Sequence, residues 1–277
     1  MTVVLGLLAA MFYGTSDFLG GLASRSRNAV TVLLYAYPVG AVLMTAMLPF
    51  YSGSLTAHAA LFGVLGGTAG LIGVTALYHV MTIAPMNIVS PVSAVLAAMV
   101  PVVFGVAIGE RPSVAAWLGI ACGIFAVVLV SRTTDDHPLG RVSTKALLLA
   151  CLSGVGFGLY FIFLARAGHD SGVWPLVISR YASAVLIVPL ALARGAFVVV
   201  TGRTLVFAVV AGVFDALANL FFLLATRSGL LSLASVLTAL YPAFTVMLAV
   251  GLLREHVSRV QLAGFALAAS SVVLITV

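Results

Sequence analysis

Asp215 and Asn219 stand four residues apart in GVFDALANLFF, residues 212–222, a stretch otherwise built of apolar and small side chains. Four residues is about one helical turn, so a helix presents the carboxyl and the amide on one face. A carboxylate can hold a proton or pair with a cation, and an amide can both donate and accept a hydrogen bond. Arg180 offers that cation from the apolar run 173–193, and Asp17 and His79 are further ionisable groups inside apolar runs. Such a group costs about 2.5–3.5 kcal/mol on membrane-insertion scales, so each one that persists is a candidate for function.

Depth sorts the candidates into two sets. At ~1.5 Å of helical rise per residue, Arg180 is about level with Asn219, and Asp215 lies one turn deeper. The expected cluster has Arg180 as counter-ion, Asn219 as amide partner and Asp215 as the deep acid. Asp17 and His79 each fall roughly 9–12 Å in from the other side by the same rise and form a second set. Blander readings compete with each: Arg180 snorkelling or neutralising Asp215 structurally, His79 bonded to a carbonyl at the interface, Asp17 capping backbone near YGTSD.

The elements that position these groups follow from composition. The 277 residues are 63% hydrophobic and only 7% charged, with a mean hydropathy of +1.25. Soluble domains carry about 25% charged residues, so water is not the main solvent of this chain. Its apolar runs are ~20 residues long, the length of a membrane-spanning helix. They do not alternate in polarity as barrel strands do. The expected fold is all-α, a polytopic protein of the lipid bilayer. The net charge of +6 reads as basic loop residues that orient such a protein, with no nucleic acid as partner.

Ten runs are expected as helices: 2–22, 29–50, 59–84, 87–109, 113–131, 144–166, 173–193, 204–226, 230–253 and 258–277. The first is kept as a helix because it lacks the basic start of a signal peptide. The most polar stretch, RTTDDHPLGRVS (132–143), divides the chain into repeats 1–131 and 144–277. Val89–Ser131 lies on Ala234–Thr276 with a constant shift of 145, which pairs Ser90 with Ser235, Glu110 with Glu255, Ser113 with Ser258 and Gly119 with Gly264. These are the chain's two glutamates. Five spans per repeat is odd, so the second repeat enters the membrane upside down, an arrangement that builds two gates around one midplane site.

FYGTSDFLGG in the first helix, GERPSVAAWLGIACGIFAVVLV closing the first half and REHVSRVQLAGFALAASSVVLIT closing the second resemble the drug/metabolite transporter superfamily, EamA type. The resemblance covers essentially the whole chain. It implies export or exchange of a small metabolite, amino acid or drug-like solute through a central cavity, in a plasma (inner) membrane with both termini inside. Loop charge points the other way. Loops after helices 1, 3, 5, 7 and 9 hold Arg25, Arg27, Arg132, Arg141, Lys145, Arg194, Arg203, Arg254 and Arg259, against Arg111, Arg166 and Arg227 opposite, which places both termini outside.

The chain has no GxxxxGK[ST], HExxH or GxSxG, so an ion or solute gradient is expected to supply energy, with no cofactor, no metal and no enzymatic role. A proton carried by Asp215 or Asp17 is one route to coupling. A channel or facilitator is the alternative, and an intramembrane enzyme the distant one. Cys122 and Cys151 match no zinc spacing and read as packing residues. Tyr13, Tyr78, Tyr160, Phe157 and Trp174 could line a cavity. Gly63, Gly66, Gly67, Gly70 and Gly73 give helix 3 a face for close packing. Pro91, Pro101 and Pro242 are expected to bend helices 4 and 9. Glu110 and Glu255 read as helix-end anchors.

Overall fold

The computed structural model describes residues 1–81, 83, 86–131, 143–254 and 257–276, with the backbone alone of residues 78, 81 and 86–91. Nearly all of the 132–143 linker, Glu255, and the side chains of Tyr78 and Pro91 therefore lie outside the described residues. Among those described, eleven α-helices and no strand are found. They are α1 (Thr2–Ser24), α2 (Ala29–Met47), α3 (Ala57–Met81), α4 (Met86–Ala107), α5 (Val114–Val130), α6 (Thr144–Arg166), α7 (Trp174–Ala193), α8 (Gly202–Arg227), α9 (Leu231–Thr238), α10 (Tyr241–Leu253) and α11 (Arg259–Thr276). Helices α9 and α10 share one apolar stretch, Leu231–Leu253, so eleven helices make ten spans. Eight of these are long and apolar enough to cross a membrane, and Val92–Ala107 and Val114–Val130 are shorter apolar helices.

Pro242 explains the extra helix. It occupies the first turn of α10, directly after the turn at Ala239–Leu240. Proline cannot donate to the carbonyl four residues back and its ring crowds that carbonyl, so α9 stops and a new helix starts. Pro101, by contrast, lies inside α4 with no interruption. The expected bend in helix 9 is thus a break, and the two halves differ at this point.

Helix starts follow from capping chemistry. Ser113 Oγ accepts the Ala116 N–H at 3.1 Å and Ser143 Oγ accepts the Ala146 N–H at 3.2 Å. At the start of α11 the Gln261 N–H donates to Ser258 Oγ at 3.1 Å, while the Ser258 N–H donates to Gln261 Oε1 at 3.0 Å. That reciprocal pair is a capping box with glutamine at the third position.

The duplication is written into backbone geometry. Gly109, after α4, has φ +101° and Arg254, after α10, has φ +58°; the two are 145 residues apart, and arginine holds a left-handed twist that favours glycine. A Cβ on Gly119 would meet Ile275 Cγ1 at 2.7 Å, and one on Gly264 would meet Val130 Cγ2 at 2.7 Å. These contacts exchange under the same shift, so α5 and α11 pack about a local two-fold axis. The wider packing agrees: α1 lies on α8 as α6 lies on α3, α2 on α8 as α7 on α3, and α9 and α10 on α1 as α4 on α6. The bundle is built from two inverted, repeated halves.

The glycine face of α3 brings that helix close to both partners within the chain. A Cβ on Gly67 would stand 2.4 Å from the Ser179 carbonyl oxygen on α7, and one on Gly73 3.1 Å from that of Ser153 on α6. Phe125, Leu148, Val185 and Leu262 point outward on exposed surface, as a lipid-facing perimeter requires.

One end of the bundle is shut. A core joins Leu164, Val173, Leu176, Leu220, Phe222 and Leu231, with Leu5, Met47, Phe104 and Trp174 packed against it. It draws on α1, α2, α4, α6, α7, α8 and α9 at the face that carries the connections after α2, α4, α6 and α8. Over it the loops are laced: the Ser54 N–H donates to the Asp170 carbonyl at 3.0 Å, and Arg227 Nη2 donates to the carbonyls of Gly168 and Gly172 at 3.1 and 2.7 Å. Toward the opposite face the described cores are separate. One joins α3, α4 and α6, another α1, α2 and α8, a third α2, α3 and α7, and a fourth joins α1 to α4, α5, α10 and α11 from mid-bundle.

Candidate functional site

The polar cluster sits where the closed core ends. Arg180 on α7 makes a salt bridge from Nη1 to Asp215 Oδ2 on α8, with side chains 6% and 30% exposed. Its Nη2 also donates to the Asp215 backbone carbonyl at 3.3 Å, while its Nε is buried without a partner among the described residues. One helical turn on, Asn219 Nδ2 donates to the same carbonyl at 2.6 Å. Arg180, Asp215 and Asn219 thus form the cluster that their spacing and depth led us to expect.

Two tyrosines complete it. Tyr13 on α1 and Tyr160 on α6 both donate their hydroxyls to Asn219 Oδ1. The amide oxygen accepts both hydroxyls and the residue is only 1% exposed, so Asn219 is placed to position its neighbours. Phe161 lies between the phenols, with ring centroids 6.2 Å from Tyr13 and 5.9 Å from Tyr160. Phe12 holds α1 on α8 through rings 5.1 Å from Phe214 and 5.0 Å from Phe221.

Asp17 belongs with this cluster and not in a separate set with His79. It lies one turn beyond Tyr13 on the same face of α1. Its neighbour Ser16 is buried and donates to the Ala211 carbonyl on α8 at 2.9 Å, and Gly14 abuts the first turn of α10, where Thr245 Oγ1 donates to the Gly14 carbonyl at 3.1 Å. Asp17 therefore faces the interior, within electrostatic range of Asp215 and of the Tyr241 phenol. It is nonetheless exposed. No basic side chain or hydrogen-bond donor meets its carboxylate among the described residues. An exposed, inward-facing carboxylate within a span calls for a water-accessible recess beside it.

His79 lies in the last turn of α3 and is half-buried; it engages its own surroundings, on a helix that packs against α6, α7 and α4. Of the aromatic candidates, Tyr13 and Tyr160 reach the cluster, Phe157 lies against Gly73 of α3, and Trp174 packs into the closed core. Tyr241 was missed by sequence reasoning. Its ring centroid is 6.3 Å from that of Tyr13, and its signal was the proline beside it, which places Tyr241 at the break in the ninth span.

Glu110 has a defined anchoring role. Its Oε1 accepts the Leu231 N–H at 2.6 Å and its Oε2 the Ser232 N–H at 3.0 Å. A carboxylate on the first free amides of α9 satisfies donors that have no partner within the helix and opposes the helix dipole.

Comparison with known proteins agrees with this geometry. One solved crystal structure matches with a TM-score of 0.84 over 99% of this chain and 96% of its own, at 17% identity; this is a likeness of fold. No curated protein sequence matches the chain significantly. The model of the EamA-like transporter family matches twice, over residues 1–132 and again over 144–277. The chain is an integral, multi-pass membrane protein and belongs to the EamA-like transporter family, within the drug/metabolite transporter superfamily.

Proposed function

We propose that this chain is a secondary transporter of the plasma (inner) membrane that exports or exchanges a small solute by alternating access. Asp17, Arg180 and Asp215 form its charged centre, Asn219 holds the tyrosines in place, and His79 lies beside the vestibule entrance. The observation that carries this reading is the asymmetry between the ends of one inverted-repeat bundle. One large core and laced loops seal the charged centre from one face, while toward the other Asp17 is exposed and the packing is divided among smaller cores. Exchanging the contacts of the two halves would seal the open end and open the sealed one, as inverted repeats permit. Asp17 and Asp215, both carboxylates, are the groups able to carry a coupling proton.

The reading is tested by comparing solutes in the medium of cells that express wild type, Asp17→Asn or Asp215→Asn at matched membrane levels. It expects a solute class to rise with wild type and to fall with Asp17→Asn. A medium unchanged by wild type in both net-export and exchange formats overturns it.

A further inference from the structure

We propose that the transported solute is an organic monocation, an ammonium group on a flat apolar body, and that Asp17 reads its charge. This rests on the transporter reading above and names the substrate class of the same site.

The argument is one of charge and access. Deep in the bundle, the described charged residues are Asp17, Arg180 and Asp215. Arg180 and Asp215 are spent on each other, and Arg180 is only 5% exposed, so a solute cannot reach the guanidinium without dismantling the pair. What remains is a single negative charge on Asp17, and this is the group that is exposed. An anionic solute would meet repulsion from Asp17 and from the nearby Asp215. A neutral solute would leave the closed site to be balanced by a proton on Asp17, whereas a cation supplies that positive charge itself and takes the proton's place. One positive charge balances the site, and two would overshoot it.

The walls fit the rest of such a molecule. Tyr13 and Tyr241 flank the Asp17 side of α1, their centroids 6.3 Å apart, and both are half-buried. Their faces offer apolar contact and attraction for a cation. The Tyr13 hydroxyl is fixed on Asn219, so that ring is held in place before a solute arrives. The break between α9 and α10 brings Tyr241 to this level, at the point where the ninth span is not a continuous helix.

The test uses the purified full chain in proteoliposomes, with protein-free liposomes as background. Three probes share a phenylethyl skeleton: phenethyltrimethylammonium, 3-phenylpropanoate and 3-phenylpropanamide. The expected result is saturable counterflow of the ammonium probe only. Asp17→Asn should raise its half-saturating concentration at least about tenfold, and Asp17→Glu should hold it within about threefold, since loss of a buried charge partner typically costs more than one decade. Saturable transport of the propanoate or the amide in place of the ammonium overturns the substrate class and leaves the transporter reading intact. An ammonium flux unaffected by Asp17→Asn overturns the role of Asp17. If none of the probes moves, the charge of the solute that rises in the medium decides: a cation upholds the class and a neutral or anionic solute overturns it. If no solute rises there either, both readings fall together.

Discussion

The hydroxyl of Tyr160 on α6 donates to Asn219 Oδ1 on α8, and this bond ties α6 to α8 where the closed core meets the vestibule. Tyr13 donates to the same oxygen from α1, which packs on α8. The two bonds are therefore not equivalent. Parting α6 from α8 to open the sealed end would break the Tyr160 bond and could leave the Tyr13 bond intact.

Because both hydroxyls satisfy one acceptor, their loss should not add. Tyr13→Phe and Tyr160→Phe are each expected to destabilise by about 1 kcal/mol, the net worth of a hydrogen bond. The double variant should lose more than the sum, because it alone leaves a buried amide oxygen with no donor, which costs about 1–3 kcal/mol. A double-mutant cycle on thermal unfolding in detergent measures this coupling; strict additivity would contradict the shared acceptor.

The Arg180–Asp215 pair predicts a different pattern. Arg180→Met and Asp215→Leu each strand a charge in the bundle and should cost about 3 kcal/mol, the low end of the range for broken buried pairs, because Asp215 is 30% exposed. The double variant should recover most of that loss. Unfolding temperatures of the three variants read this directly; a double variant no better than the singles would show that the pair is not what holds these groups.

Glu110 ties the end of α4 to the start of α9, so Glu110→Ala should cost about 1–2 kcal/mol, as losing a strong cap does. Glu110→Gln keeps one acceptor and should fall between. Equal unfolding temperatures for wild type and Glu110→Ala would remove the cap from the account.

The two left-handed residues predict opposite signs. Gly109→Ala forces a Cβ into a conformation that costs about 1–2 kcal/mol, so it should destabilise. Arg254→Gly relieves the same strain at the equivalent position and should stabilise by up to about 1 kcal/mol, part of the gain being offset by added freedom in the unfolded chain. Unfolding of the two variants, compared side by side, checks both signs.

Much of this was legible in the sequence because membrane physics leaves strong marks. Run length and lack of charge define the spans, and a constant shift of 145 with paired glutamates reveals the repeat. Helical spacing and depth were enough to bring Arg180, Asp215 and Asn219 together, since all three lie on long helices of fixed rise. Asp17 was grouped wrongly because depth says nothing about which helices are neighbours; α1 packs on α8 and α10, and that choice comes from interlocking surfaces such as Gly14 on Tyr241. Tyr13 and Tyr160 could be named as cavity candidates, but their shared acceptor depends on three helices meeting. The break at Pro242 differs from the uninterrupted Pro101 by local packing that a proline count does not carry. Orientation was not legible either: loop charge and family likeness point opposite ways, and the helix contacts are the same with either face in the cytoplasm.

The central claim is that one vestibule opens alternately to the two faces. It is tested most directly by fastening the sealed end. Ser54 and Asp170 are joined by a backbone hydrogen bond of 3.0 Å, which makes these adjacent loop residues the pair to cross-link with a disulfide. In a background with Cys122 and Cys151 replaced by alanine, Ser54→Cys/Asp170→Cys is oxidised, and solute counterflow is measured before and after reduction. The account predicts that oxidation abolishes flux and that reduction restores it. Undiminished flux through the fully oxidised protein would contradict it.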